Sequence, residues 1–363
     1  MISKLWQLLS CAADVNSHIR TLQGRSVVDV VFITNMRDEV DRKRFLGRSK
    51  PATGHFNGPR ISIKGINARV RSIDSTAEEM LTTQGRRRAK QQFIAATRWA
   101  EQHGAKVILL AASTKRLFGR NGREIQEMFP DLVFTIGDNG TALVLLQEVF
   151  NQIKTASIDK AEGRVLVIGP YGILGSAVID GLVHSGYQVI GMGSNKAGLQ
   201  TIHEKYQIPV HETFNDISGV DLVIACTHSK DAMLTAKTVA QIKRPNSKLH
   251  VIDVAEPSNL TADEYRKCAD KVIRQDAGNA YSKHLNYVLG YFSYKLFRLS
   301  QGVVFGCFAE ALSLFYALEF ENNEKVSKLN HFHVDADGMS LVASYFDTLG
   351  FTTPKPRNYG TRI

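Results

Sequence analysis

At 363 residues the chain is long enough for two domains, or one large domain with an appendage, so a single small module is excluded. Hydrophobic residues make up 44% and charged residues 22%, which supplies a core and excludes global disorder, collagen-like repeats and a mostly membrane-embedded chain. The net charge of +10 is uneven, because residues 1–120 hold 22 Lys and Arg against 9 Asp and Glu; that third is expected either to meet an acidic partner or to present a solubilising surface.

Residues 1–11 are too short an apolar stretch, broken by Gln7, for a signal core, and read as an opening helix. No segment reaches the roughly 18 uninterrupted apolar residues of a transmembrane span. Residues 27–34 (VVDVVFIT) read as a strand, residues 45–60, with three glycines and two prolines, as a loop, and residues 61–73 as a strand or hairpin. A helix is expected over 86–102, stopping at Gly104 and carrying Arg86, Arg87 and Arg88 at its start, where positive charge opposes the helix dipole. Residues 107–112 (VILLAA) form a buried strand. Asp138 or Asn139 then caps a helix whose Leu143, Leu146, Phe150 and Ile153 recur at spacings of three and four.

The polar joint at 154–163 marks the first boundary. Residues 164–168 (RVLVI) run as an apolar strand into Gly169-Pro170-Tyr171-Gly172-Ile173-Leu174-Gly175, followed by a helix over 176–184 and a second strand at 188–190. Strand, glycine turn, helix and strand within about 30 residues is the context of a dinucleotide site, with the pyrophosphate at the positive helix N-terminus. Gly169, Tyr171, Gly172, Ile173, Leu174 and Gly175 are therefore candidate cofactor contacts, and Thr227, just past the strand 221–226 (DLVIAC), is another. Residues 249–254 (LHVIDV) add a further buried strand. The second strand ends in Gly193, Ser194, Asn195 and Lys196 with no carboxylate for a ribose hydroxyl, which favours NADP(H), with Ser194, Asn195 and Lys196 toward the 2′-phosphate.

Four cysteines, Cys11, Cys226, Cys268 and Cys307, lie far apart without a Cys-x-x-Cys pair. That spacing argues against a disulfide framework or a structural zinc site and for a reducing, cytoplasmic compartment. From Cys307 the chain reads as a helix with Cys307, Ala311, Leu314 and Leu318 on one face, and by periodicity alone the cysteine is a packing residue.

Three stretches, 134–148 (FTIGDNGTALVLLQE), 169–178 (GPYGILGSAV) and 305–312 (FGCFAEAL), make the chain resemble the long-chain fatty acyl-[acyl-carrier-protein] reductases of cyanobacterial type, aldehyde-forming enzymes, collinearly from about residue 65 onward. The resemblance implies an NADPH-dependent enzyme in which Cys307 takes the acyl group from a thioester and the enzyme thioester is reduced to a fatty aldehyde. A thiolate is a strong nucleophile and a good leaving group, but a free thiol needs a helix N-terminus or a nearby cation to ionise usefully. The family's turn reads like Gly-Ala-Thr-Gly-Asp-Ile-Gly, so Pro170, Tyr171 and Leu174 are departures, as is Ser194 in place of an arginine. Implied partners are an acyl carrier protein or acyl-CoA and an aldehyde-consuming enzyme, with Arg42, Lys43, Arg44 and Arg86–Arg88 as candidates to receive an acidic carrier. Nucleic acid is not expected, since no aromatic strand motif or zinc knuckle is present.

His284 is a candidate acid or orienting partner for the thiol. Glu310, three residues past Cys307, is expected in a helix-orienting salt bridge, because a carboxylate beside the thiol raises its pKa. His331 and His333 are expected in an exposed loop, with no metal site. The expected architecture is α/β: an N-terminal α/β domain (1–158), a central Rossmann dinucleotide-binding domain (159–285) and a C-terminal helical segment (286–363). The alternatives are an NADP-dependent dehydrogenase of shikimate-dehydrogenase type, which works without covalent catalysis, and a non-catalytic nucleotide-binding protein.

Overall fold

A computed structural model describes residues 20–46, 51–227, 229–287, 297 and 299–363. The expected opening helix at 1–11 lies outside them. The chain forms two compact units that are not consecutive: one takes the described residues up to Gly140 together with those of Ala280–Thr352, the other Thr141–Asn279 with Thr353–Ile363. The three-segment division expected from composition therefore differs from the packing, because the chain after residue 280 returns to the first unit.

In the first unit, chain order gives β1 (Val30–Met36), α1 (Glu39–Leu46), β2 (His55–Ile63), β3 (Ile66–Thr76), α2 (Thr83–Gln102), β4 (Val107–Leu110), β5 (Val133–Thr135) and the start of α3 (Asp138–Thr155). The early strands are β-branched and buried on both faces, as strands covered by helices must be. One face carries Val31, Ile33, Ile73, Ile108 and Leu110 against Ala89, Phe93, Ala96 and Ala100 of α2. The expected loop at 45–60 is half strand: β2 begins at His55, and its pairing with β3 shifts register between Asn57 and Arg60, so Gly58 and Pro59 sit in a bulge rather than a turn.

The second unit holds β6 (Arg164–Ile168), α4 (Ile173–His184), β7 (Gln188–Met192), α5 (Lys196–Tyr206), β8 (Val210–His211), β9 (Leu222–Ala225), α6 (Ala236–Ile242), β10 (Leu249–Asp253), α7 (Ala262–Cys268) and β11 (Val272–Asp276). Its sheet is parallel in the order β8-β7-β6-β9-β10-β11. Numbered within the unit that is 3-2-1-4-5-6, the doubly wound Rossmann order, with the switch point between β6 and β9. Leu145, Val149 and Ile153 of α3, with Val178, Ile179 and Leu182 of α4, bury one face; Val239, Ile242 and Cys268 of α6 and α7 cover the other.

The returning chain adds β12 (Asn279–Tyr281), β13 (Leu285–Tyr287), β14 (Val303–Phe305), α8 (Gly306–Glu319) and α9 (Ala336–Leu349). β13 joins the first sheet by antiparallel pairing with β2, which makes its order β13-β2-β3-β1-β4-β5. α8 is buried on nearly every side rather than along one stripe, and Phe308 stacks on Phe32 of β1 with ring centroids 4.0 Å apart. A helix apolar all round is a core helix. A short hairpin, β15 (Arg357–Asn358) with β16 (Thr361–Arg362), ends the chain.

Candidate active site and nucleotide turn

In the second unit, β6 enters the glycine turn at its carboxyl end. Gly169 has φ of +80°, and a Cβ there would stand 2.9 Å from the Thr227 side chain. A Cβ on Gly175 would lie 2.1 Å from the Gly169 carbonyl oxygen, so this glycine lets α4 approach the strand. Gly172 is different: it caps α4 with no side chain, and its Cβ would meet only Gly169 O, at 3.4 Å. The first N–H groups of α4, at Ile173, Leu174 and Gly175, have no partner one turn back, as at any helix start. Unpaired donors at a helix start favour an anion there.

The structure gives the remaining nucleotide candidates distinct surroundings. Thr227 is fixed, its carbonyl accepting from Asn259 Nδ2 at 2.7 Å and its hydroxyl from Ser229 N at 3.2 Å. The Asn195 side chain caps α5, accepting from Gly198 N at 3.0 Å. Ser194 is exposed, and so is Lys196, whose Nζ lies 3.9 Å from Glu212. Tyr171 lies over Gly193 and Gly198, and its hydroxyl accepts the Asn195 N–H at 3.1 Å.

In the first unit, Cys307 is the second residue of α8. Two glycines let the turn after β5 dock on that helix start. Gly137 has φ of +73°, and a Cβ on it would stand 2.2 Å from Cys307 Cβ; a Cβ on Gly140 would stand 2.6 Å from the Gly306 carbonyl and 2.7 Å from Glu310 Cβ. Glu310, one turn along α8, clamps the same turn: its carboxyl accepts from the Thr135 hydroxyl and, at 2.6 Å, from Gly140 N. The expected salt bridge is therefore replaced by a fully buried acceptor, and burial pushes the Glu310 carboxyl up to about 7 against the pull of those two donors.

Lys115, in the short helical turn after β4, pairs with Asp138 at the start of α3. Burial opposes its charge, yet Asp138, Cys307 and Glu310 hold its pKa above the ordinary value. On Cys307 burial prevails and pushes the thiol up to about 11; Lys115 pulls it down, Asp138 and Glu310 push it up, and the Phe308 backbone N–H favours the thiolate. The cation that the sequence left unspecified is thus Lys115. His284 is exposed in the turn before β13, its backbone N–H donating to Ser282 Oγ at 3.2 Å, and a Cβ on Gly350 would stand 3.2 Å from its ring.

Sequence reasoning missed Lys115 and saw Asp138 only as a cap. The available signal was position: each follows the carboxyl end of a buried strand, β4 or β5. Other expectations change. His331 is buried, not exposed, with Nε2 2.8 Å from Val326 O, while His333 pairs with Asp335 at 2.5 Å. Arg42 is half-buried between Glu39, Asp74 and Glu79, so it is not free to receive a carrier, and Arg88 pairs with Glu79 at 2.7 Å; Arg86 and Arg87 are exposed. Among the described residues no three His, Cys, Asp or Glu side chains gather as a metal site, and no helix is long and apolar enough to cross a membrane.

Residues 150–271, about a third of the chain, match the family described as Shikimate / quinate 5-dehydrogenase. No curated protein sequence matches the chain. Among solved structures, L-tryptophan dehydrogenase from Nostoc punctiforme is 11% identical over 88% of this chain and 89% of its own, with a TM-score of 0.39. Shikimate 5-dehydrogenase from Thermus thermophilus, solved with shikimate, is 13% identical over 89% of this chain and 100% of its own, with a TM-score of 0.33. The nucleotide-binding domain of glutamyl-tRNA reductase from Thermoplasma volcanium is 19% identical over 36% of this chain and 84% of its own, with a TM-score of 0.27.

Proposed function

We propose that this chain is an NADPH-dependent oxidoreductase that reduces a fatty acyl thioester to an aldehyde through an acyl group carried on Cys307. The observation that supports this most directly is the setting of the cysteine: the second residue of a core helix, with Lys115 as the cation acting on its sulfur and Asp138 holding that cation. A packing cysteine has no need of a largely buried lysine. In the first step the Cys307 thiol loses its proton and the thiolate attacks the acyl carbonyl; the thioester bond breaks, and the expelled carrier or CoA thiolate takes up a proton. The ammonium of Lys115 stabilises the sulfur anion when it forms and when it departs. Gly169, Gly172 and the first turn of α4 would hold NADPH, whose chemistry would be to supply a hydride to the enzyme thioester; the carbon–sulfur bond would then break to give the aldehyde, and the Cys307 thiolate released beside Lys115 would take up a proton. Arg86 and Arg87 offer exposed positive charge to an acidic acyl carrier.

The match over residues 150–271 favours a second reading, a dehydrogenase of shikimate type that needs no cysteine. Incubation with acyl-carrier or acyl-CoA thioesters in the absence of NADPH, followed by intact mass and peptide mapping, separates the two. An acyl adduct on Cys307, with no aldehyde from Cys307→Ser, is the expected result. Equal NADPH turnover by wild type and Cys307→Ser would leave the dehydrogenase standing and remove the acyl-enzyme.

A further inference from the structure

At the end of the second strand of a doubly wound dinucleotide domain a carboxylate commonly accepts from the ribose hydroxyls. Here β7 ends at Met192 and continues as Gly193-Ser194-Asn195-Lys196, and an aromatic ring from the glycine turn covers that corner. A Cβ on Gly193 would stand 2.7 Å from Tyr171 Cε1 and 2.9 Å from its hydroxyl oxygen, and one on Gly198 would stand 2.8 Å from Cγ. Both positions are glycine where the ring needs the room. The Tyr171 hydroxyl accepts the Asn195 N–H at 3.1 Å. With its oxygen engaged as an acceptor, the phenol has its own proton left to give. A carboxylate at this corner selects a ribose hydroxyl, which donates; a phenolic donor selects an acceptor, and phosphate oxygens are the strongest acceptors a dinucleotide offers there.

We propose that Tyr171 sets the choice of dinucleotide by donating its hydroxyl proton to the 2′-phosphate of NADP(H), with its ring as the wall at the adenosine end of the site. This rests on the reading that the second unit binds a nicotinamide dinucleotide. It differs from the sequence expectation, which gave the phosphate to Ser194, Asn195 and Lys196: the Asn195 side chain is spent on capping α5, and Lys196 is an exposed lysine near Glu212.

The test is calorimetric titration of the full chain with NADPH and with NADH, for wild type, Tyr171→Phe and Gly193→Ala. Tyr171→Phe keeps the ring and removes only the donor. It is expected to weaken NADPH about tenfold, the worth of one hydrogen bond to a charged group, and to leave NADH within about twofold. Gly193→Ala forces the ring aside and is expected to narrow the preference likewise, with unchanged circular dichroism and Tm checking the fold of both variants. If wild type prefers NADPH and Tyr171→Phe keeps the full preference, Tyr171 is not the determinant while the nucleotide reading survives. If wild type binds both nucleotides equally or prefers NADH, the proposal is likewise overturned. Binding of neither nucleotide by wild type sinks the nucleotide reading itself, and the proposal with it.

Discussion

Replacing Lys115 tests the electrostatics of the candidate nucleophile. With its thiol pushed up to about 11 by burial, Cys307 holds roughly one thiolate in a thousand at pH 8. Its alkylation by iodoacetamide should be slow and should rise about tenfold per pH unit until the profile bends near 11. Among the described residues Lys115 is the cation that pulls the thiol down, and an opposite charge of this kind moves a pKa by roughly 1–3. Lys115→Gln should therefore slow alkylation at pH 8 by about 10- to 1000-fold. The opposite sign is expected of Glu310→Gln, which removes a carboxyl that pushes the thiol up. Removing Lys115 also leaves Asp138 buried without its partner, a loss on the order of 3–5 kcal/mol, so Lys115→Arg, which keeps the charge, is the companion variant and should restore much of the wild-type rate. The readout is peptide-mapped mass spectrometry at each pH, which separates Cys307 from Cys226, itself pushed up to about 12 by burial. A profile that Lys115→Gln leaves unmoved in a folded protein would refute the assignment of Lys115 as the controlling cation, and a bend near 8 in wild type would refute the dominance of burial over that cation.

Two further outcomes follow from buried groups. Glu148 on α3 accepts from Gly278 N at 2.8 Å, and burial pushes its carboxyl from 4.5 up to about 8. The folded state therefore holds a proton the unfolded chain loses: the stability it contributes is complete below about 4.5, declines as pH rises through 8, and amounts to roughly 5 kcal/mol at most. Urea titrations from pH 4 to 9 should show that decline in wild type and a much flatter dependence in Glu148→Gln; parallel curves would contradict it. Gly137→Ala, with a Cβ 2.2 Å from Cys307 Cβ and a φ of +73°, should lower Tm and abolish the proposed acyl capture, since the clash is with the backbone and Cβ of the candidate nucleophile; an adduct forming at the wild-type rate would show that the turn does not dock on α8 as described.

The second unit was legible because its signals are local. An apolar strand, three glycines and a helix within residues 164–184 fix a turn, and the later apolar runs 221–226 and 249–254 give parallel strands wherever they fall in the sheet. The first unit was less so. Cys307, Lys115 and Asp138 come from segments separated by up to 192 positions, and no periodicity connects them. Glu310 misled for a related reason: a carboxylate beside the thiol raises its pKa, which pointed to a salt bridge, whereas α8 is buried on nearly every side and the carboxyl satisfies a neighbouring turn instead. Residues 45–60 misled because a bulge carries the same glycine and proline that mark a loop.

Polar residues at the ends of parallel strands are the usual candidates for ligand contact, yet in the second unit two of them are committed to the fold. Asp253, ending β10, accepts from Arg274 Nη2 at 3.0 Å and from the N–H groups of Asn259 and Leu260, both at 3.2 Å. Asp276, ending β11, takes Arg274 Nη1 at 2.7 Å and the backbone N–H of Gly360 at 2.7 Å. The guanidinium is fully buried, reaches Asn358 Oδ1 at 3.0 Å and lies 4.1 Å from the Tyr359 ring centroid. One buried cation between two carboxylates gains little net stability over an apolar filling, but leaving either charge unpaired is costly, so such a cluster specifies one arrangement. That arrangement reaches the glycine turn. Asn259, held by Asp253, donates to Thr227 O, and Thr227 packs where Gly169 has no side chain. The last residues of the chain, through Arg274 and Asp253, thereby fix the wall of the nucleotide turn, and Asp253 and Asp276 are better read as the frame of that site than as its ligands.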